Sequence, residues 1–374
     1  MQTTESNLAR LETDFSGYLE GDRVTELLKT FDIRFSAGHW CAGDFSDRFC
    51  KSYTEDPEFQ HGVLHDIRRV SEAGVEGIEL SDTLFRRKDL TFDRELEEAA
   101  KHVLETQNVI ATNMNINVWT HAKWRVGGIT HPDPTRRYEA IQYCLEVVGL
   151  AERMGCPMVQ LWPGSDGWDY CFEVDYGRQF DWFLEGCSQI AKAASEKGLK
   201  FSVEAKQKEP REGNMILNTT AKAAWAAHLV NQGLGANAMG VVIDYGHEQM
   251  VGNTPADSLY LLRRIGVPIN NFHINAAKYN SNDEDRITGT DDLWRLAEFC
   301  YAAIDTGYDG WFGEDQFTYR TDPVKSMALS RELFANTMKK ALLIYRDRAR
   351  LATARATGDA TVVIDTVKRP LMNG

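Results

Sequence analysis

The sequence predicts an α/β fold: a closed (β/α)8 barrel with a helical extension at its N-terminus and a helix and arm at its C-terminus. Three observations carry that expectation. Eight short apolar runs recur along the chain, longer helical patterns separate them, and no Gly-x-Gly-x-x-Gly follows any of the runs. Strand and helix in alternation give a parallel sheet. The missing glycine motif removes the usual mark of its open, doubly wound rival. A length of 374 residues suits one such barrel, which often exceeds the ordinary domain size. The expected division is an extension over residues 1–30, the barrel over 31–325, and a helix with a tail over 326–374.

Taken in order, residues 1–30 read as one amphipathic helix with a cap. The strands follow at 34–40, 75–82, 109–116, 158–164, 199–205, 239–244, 270–275 and 310–315. They are short and apolar, as parallel strands covered on both faces must be. The helical patterns at 138–155 and 178–198 each end at a glycine, which can take the left-handed conformation that closes a helix. Residues 326–350 continue as a helix, and the tail beyond Leu351 is expected to be at most a short arm. No repeat, low-complexity block or long linker marks a second globular domain.

The charge balance, 42 Lys+Arg against 55 Asp+Glu, leaves a formal −13. A nucleic acid partner needs a basic face that releases counterions, so it is excluded as an expectation. Small neutral ligands and divalent cations are not. The seven cysteines are widely spaced and form no Cys-x-x-Cys, which suggests neither a zinc knuckle nor a redox motif and fits a reducing compartment. The first residues are polar and acidic, unlike a signal peptide. No apolar run approaches the roughly 20 residues of a membrane helix. The expectation is a cytoplasmic enzyme with no membrane partner.

In a barrel the functional face lies at the C-terminal ends of the strands. The last four strands end in or carry Glu204, Asp244, His273 and Asp315, at intervals of 40, 29 and 42 residues, each about one β–α unit. Singly, each carboxylate could equally be a helix cap. In register on four successive strands they form a candidate ligand set. Three carboxylates and an imidazole suit Mn²⁺, Mg²⁺ or Co²⁺. A second group lies beside the first: His247 three residues after Asp244, with Asp283 and Asp285 in the loop after His273. Alternate residues of an extended loop face one side, so this trio could hold a second cation. A solvated acidic loop is the plainer alternative.

Lys206, two residues past Glu204, is the candidate for polarising a substrate oxygen, against the alternative of a lysine reaching for solvent at the rim. Trp40, Trp162 and, beside Trp119, His121 are candidate substrate-binding residues, because aromatic faces suit the C–H faces of a carbohydrate. His39, His121 and His131 have no metal spacing.

The segments LWPGSDG, VEAKQKEPREG, DYGHEQMVG, the NDED loop and GYDGWFGED occur in the order found in xylose isomerase-like barrels, and the resemblance covers roughly residues 33–325. In its ligand pattern the chain resembles the rhamnose isomerase branch. The resemblance implies a first metal on Glu204, Asp244, His273 and Asp315. It also implies a second on His247, Asp283 and Asp285, with Asp244 or a neighbour bridging, and Lys206 as the substrate-polarising lysine. Xylose isomerase carries an aspartate where this chain has Asn275, and a histidine–aspartate pair for ring opening where it reads IELSDTLF.

The expected activity is that of a metal-dependent aldose–ketose isomerase, with one or two divalent cations, Mn²⁺ first, and Asp315 as a proton relay. A keto-sugar lyase, such as a C-glycoside-cleaving subunit with a small partner chain, or a sugar epimerase are the alternatives. A sugar-binding barrel without catalysis is a third. The resemblance also implies a homo-oligomer, dimer or tetramer.

Overall fold

Eight parallel strands close on themselves in the computed structural model of the chain, which describes residues 1–44, 46, 49–317 and 319–372. They are β1 (Arg34–Gly38), β2 (Gly77–Ser81), β3 (Ile110–Ile116), β4 (Met158–Leu161), β5 (Lys200–Glu204), β6 (Met239–Asp244), β7 (Ile269–Ile274) and β8 (Trp311–Glu314). Each pairs with its neighbours in sequence, and β8 closes the ring on β1 through Arg34↔Trp311 to Ala37↔Glu314. All eight expected strands form, within a few residues of the expected ends.

Helices sheathe the ring. The long ones, Pro134–Met154 and Tyr176–Glu196, start at Asp133 and Asp175, whose side chains accept from Thr135 N and Arg178 N. These bonds satisfy amides that the helix itself leaves open. The core lies between ring and sheath and includes Ile78, Phe201, Val241, Phe272, Phe299 and Phe334, all essentially without solvent exposure. Trp124 and Tyr245 fill the largest buried volumes beside them.

The termini differ from expectation. The extension forms two helices, Glu5–Thr13 and Asp22–Phe31, rather than one. Gly17 and Gly21, both at positive φ, turn the chain between them. The turn is held by the helix Pro323–Arg346: the Asn336 side-chain amide bonds both Leu19 N and Leu19 O at 2.9 Å, and Lys339 donates to Gly17 O. The tail is not a short arm but two further helices, Arg348–Ala356 and Ala360–Met372. Val363 and Val367 pack on the core and Leu371 is buried, a spacing of four residues that makes one helical face. The β-branched residues Val362, Val363 and Ile364 are modest helix formers, and this tertiary packing outweighs that.

A two-stranded antiparallel ribbon, Gly167–Trp168 with Asn214–Met215, crosses between the loops after β4 and β5. Among the described residues, no helix is long and apolar enough to cross a membrane.

Candidate metal centre

The strand ends bring Glu204, Asp244, His273 and Asp315 together. One ligand atom from each lies within 4.8 Å of all the others. His273 Nδ1 is at the focus, 3.1 Å from Asp315 Oδ2, 3.3 Å from Glu204 Oε2 and 3.8 Å from Asp244 Oδ2. It completes no hydrogen bond of good geometry with any of them, although it is buried. Asp244 is a helix cap as well as a member of the set: its Oδ1 accepts from His247 N at 2.8 Å and starts the short helix Tyr245–Met250.

The electrostatics show strain in this set. Burial pushes the Asp244 carboxyl up, and the neighbouring Asp315, Asp283 and Glu204 push it further. Burial also opposes a charge on Glu204, but His273 and His247 overcome it and hold that carboxyl below its usual range. His273 is itself raised against the effect of burial by Glu204, Glu79 and Asp315. A divalent cation is the simplest partner for such a set, because it neutralises carboxylates that otherwise repel one another. The donors fit: oxygen and imidazole nitrogen, already converging.

The second trio is less converged. His247 Nε2 is 3.1 Å from Asp283 Oδ2, and the same oxygen lies 2.8 Å from Lys206 Nζ. Asp285 accepts from Asn275 Nδ2 at 3.2 Å. Burial, Asp283 and Asp315 push the Asp285 carboxyl well above its usual value. Among the described residues, His247, Asp283 and Asp285 do not meet the spacing that the first four do. Glu204 lies between the two groups, with Oε1 3.1 Å from His247 Nδ1 and Oε2 toward His273.

Lys206 is largely buried, its side chain 11% exposed, rather than reaching for solvent; burial opposes its charge, but Asp283 and Asp285 hold its pKa above the usual value. Its ammonium lies 5.4 Å from the centre of the Trp162 ring, which stands edge-on to Trp119. Trp40 Nε1 donates to Asp315 Oδ1 at 2.6 Å, so this indole joins the centre directly. His121 stands apart. It is exposed, and its Nδ1 accepts from Lys123 N at 3.1 Å at the start of a short 3-10 turn.

Other residues at the centre were not anticipated. Gln160 Nε2 donates to Glu204 Oε2 at 2.7 Å, and Asn113 Nδ2 donates to Gln160 Oε1 at 2.9 Å. Glu79, on β2, receives Asn113 and Asn271. The signal was present as isolated polar residues inside apolar strands: Glu79 in GIELS, Asn113 and Asn115 in IATNMNI, Gln160 in MVQL. Side chains at every second position of a barrel strand point inward, so these form a polar floor under the candidate ligands. Asp82, at the end of β2, is committed elsewhere. It accepts from Asn117 N at 2.7 Å, from Arg86 Nε at 3.1 Å and from the Tyr143 hydroxyl.

This arrangement agrees with what the chain is similar to. The xylose isomerase-like TIM barrel family matches residues 67–337, and the chain belongs to that family. Among curated relatives, a probable sugar isomerase of Rhizobium meliloti is 27% identical over 68% of this chain. Xylose isomerase of Thermus thermophilus is 25% identical over 84% of this chain. The chain spans 59% of the first relative's length and 80% of the second's. Among solved structures, an L-ribulose 3-epimerase superposes with a TM-score of 0.62 at 14% identity, covering 86% of this chain and 99% of its own. A 3-keto-D-glucoside 4-epimerase from E. coli gives 0.59 at 13% identity, over 81% and 98%. At these identities the two structures speak for the fold alone.

Proposed function

We propose that the chain is a divalent-metal-dependent sugar isomerase that interconverts an aldose and a ketose. The observation that carries this reading is the convergence of Glu204, Asp244, His273 and Asp315 at the strand ends. These four residues would hold the cation, with Mn²⁺ preferred and Mg²⁺ or Co²⁺ acceptable to the same donors. The cation, when bound, supplies Lewis-acid polarisation of adjacent sugar oxygens. His247, Asp283 and Asp285 are the place for a second cation.

The chain's own residues do the rest. Lys206 stays charged and donates a hydrogen bond to the carbonyl oxygen as negative charge builds there. Trp40 and Trp162 cover the sugar's C–H faces and exclude water. Net isomerisation oxidises C2 and reduces C1: one hydrogen leaves C2 and one arrives at C1, while the hydroxyl proton moves from O2 to O1. Asp315, whose Oδ1 accepts from the Trp40 N–H, would carry such a proton. A homo-oligomer in the cytoplasm belongs to the same reading and is supported by the resemblance and composition alone.

A second reading, epimerisation or lysis of a keto-sugar, is favoured by one observation. Asp82 is locked by Tyr143, Arg86 and Asn117, so the end of β2 offers nothing to open a sugar ring. The test is a panel of free aldoses, ketoses and 3-keto-glycosides incubated with Mn²⁺-loaded protein, with chiral analysis of the products. Aldose–ketose interconversion lost with EDTA and restored by Mn²⁺ is expected. Epimers or cleaved glycosides as the sole products would overturn the isomerase assignment.

A further inference from the structure

Below the four candidate ligands lies a carboxylate that cannot reach the mouth of the barrel. Glu79 is 1% exposed, in the middle of a strand whose every residue is buried. A charge in that place is costly unless its oxygens are fully bonded. They are. Oε1 accepts from Asn271 Nδ2 at 2.7 Å, and Oε2 accepts from Asn113 Nδ2 at 2.9 Å. His273 Nε2 stands 3.2 Å from the same Oε2. The neighbouring strand has also made room: a Cβ on Gly313 would sit 2.2 Å from Glu79 Oε1. Donors from β3 and β7 and a gap in β8 are thus all directed at one side chain.

We infer that Glu79 is the positioning residue of the metal centre, holding Nε2 of His273 so that Nδ1 faces Glu204, Asp244 and Asp315. This rests on the metal-dependent reading above and adds a residue to it. An ionised carboxylate can only accept hydrogen bonds. Its Asn113 and Asn271 donors fix it in the accepting orientation, so the hydrogen of a neutral His273 imidazole belongs on Nε2. The lone pair then belongs to Nδ1, the atom at the focus of the three carboxylates. The same contact fixes the ring plane, as carboxylates behind metal-binding histidines generally do. Glu79 touches no part of the open site, so its action passes through His273.

Glu79→Gln tests this. The glutamine keeps the volume but carries a donor in place of one acceptor. With the glutamine oxygen kept by Asn271, its amide hydrogens face Asn113 Nδ2 and His273 Nε2, so the bond from Asn113 is lost and the His273 tautomer with the hydrogen on Nδ1 is favoured. The expected result is Mn²⁺ affinity, measured by calorimetry, weakened by about ten- to hundredfold. The visible absorption of the Co²⁺-loaded protein should shift, and melting in EDTA should stay close to wild type. If Glu79→Gln does not fold, Asn271→Ala is the second variant. It leaves Glu79 beside His273 but loosened, and Mn²⁺ binding should fall severalfold. A folded Glu79→Gln with wild-type Mn²⁺ affinity and an unchanged Co²⁺ spectrum would overturn the inference. So would Asn271→Ala with unchanged affinity where the glutamine variant cannot be read. Wild-type protein that binds no Mn²⁺ would instead overturn the metal reading itself.

Discussion

Lys206 Nζ lies 2.8 Å from Asp283 Oδ2, the oxygen that also faces His247 Nε2. One carboxylate oxygen therefore serves both the buried ammonium and the imidazole of the second trio. A cation held by that trio would compete with Lys206 for Asp283, and a lysine released from Asp283 would be free to bond a substrate oxygen. Lys206→Met should lower kcat by about a hundredfold or more, the scale of losing one charged donor to a developing oxyanion. Mn²⁺ held at the four-ligand set should be unchanged. Steady-state kinetics with metal content on the same sample checks both, and loss of that metal would show that Lys206 supports the centre rather than the reaction.

Trp40 Nε1 bonds Asp315 Oδ1 at 2.6 Å. A hydrogen bond to a charged group contributes about 1.5–3 kcal/mol. Trp40→Phe keeps an aromatic ring but removes the donor together with part of the indole's volume. It should cost roughly tenfold or more in kcat/KM while the melting temperature holds, as read by parallel kinetics and melting.

Gly313→Ala should destabilise the fold by about 1–3 kcal/mol, the ordinary cost of overfilling a packed interior. The added Cβ meets Glu79 Oε1 rather than open space. Urea unfolding of the variant measures the loss, and an unchanged midpoint would mean that the floor of the barrel yields more easily than its packing implies.

Asp66 lies on the helix Val63–Glu72, where burial pushes its carboxyl up to about 7 against the opposing pull of Arg69. The folded state thus holds this proton more tightly than the unfolded chain does. That contribution favours folding in acid and fades as pH rises from about 4 to about 7. Asp66→Asn carries no proton there. Between pH 5 and pH 8 it should lose less stability than wild type, by about 2–3 kcal/mol. Urea unfolding at the two pH values gives the difference, and equal losses would contradict the assignment.

Much of the barrel, and the convergence of its four candidate ligands, was readable because two periodicities coincide. Strand-end positions recur once per β–α unit, and Glu204, Asp244, His273 and Asp315 fall on four successive ends. What was not readable depends on contacts distant in sequence. Glu79 and His273 are 194 residues apart, and nothing local marks Glu79 as more than an odd residue in an apolar strand. Trp40 reaches Asp315 across 275 residues because β1 and β8 are neighbours only once the ring closes. The ends of the chain misled for a related reason. Their helices are stabilised by docking, through Asn336 on Leu19 and Leu371 in the core, rather than by local propensity.

The central claim is that four strand ends build one cation site, and retained metal tests it most directly. Protein stripped with EDTA, reloaded with Mn²⁺ and desalted should keep at least one Mn²⁺ per chain by elemental analysis. Glu204→Gln, which leaves the neighbouring Gln160 and both histidines in place, should keep far less. Wild-type protein that retains no Mn²⁺, or a folded Glu204→Gln that retains as much as wild type, would contradict the account.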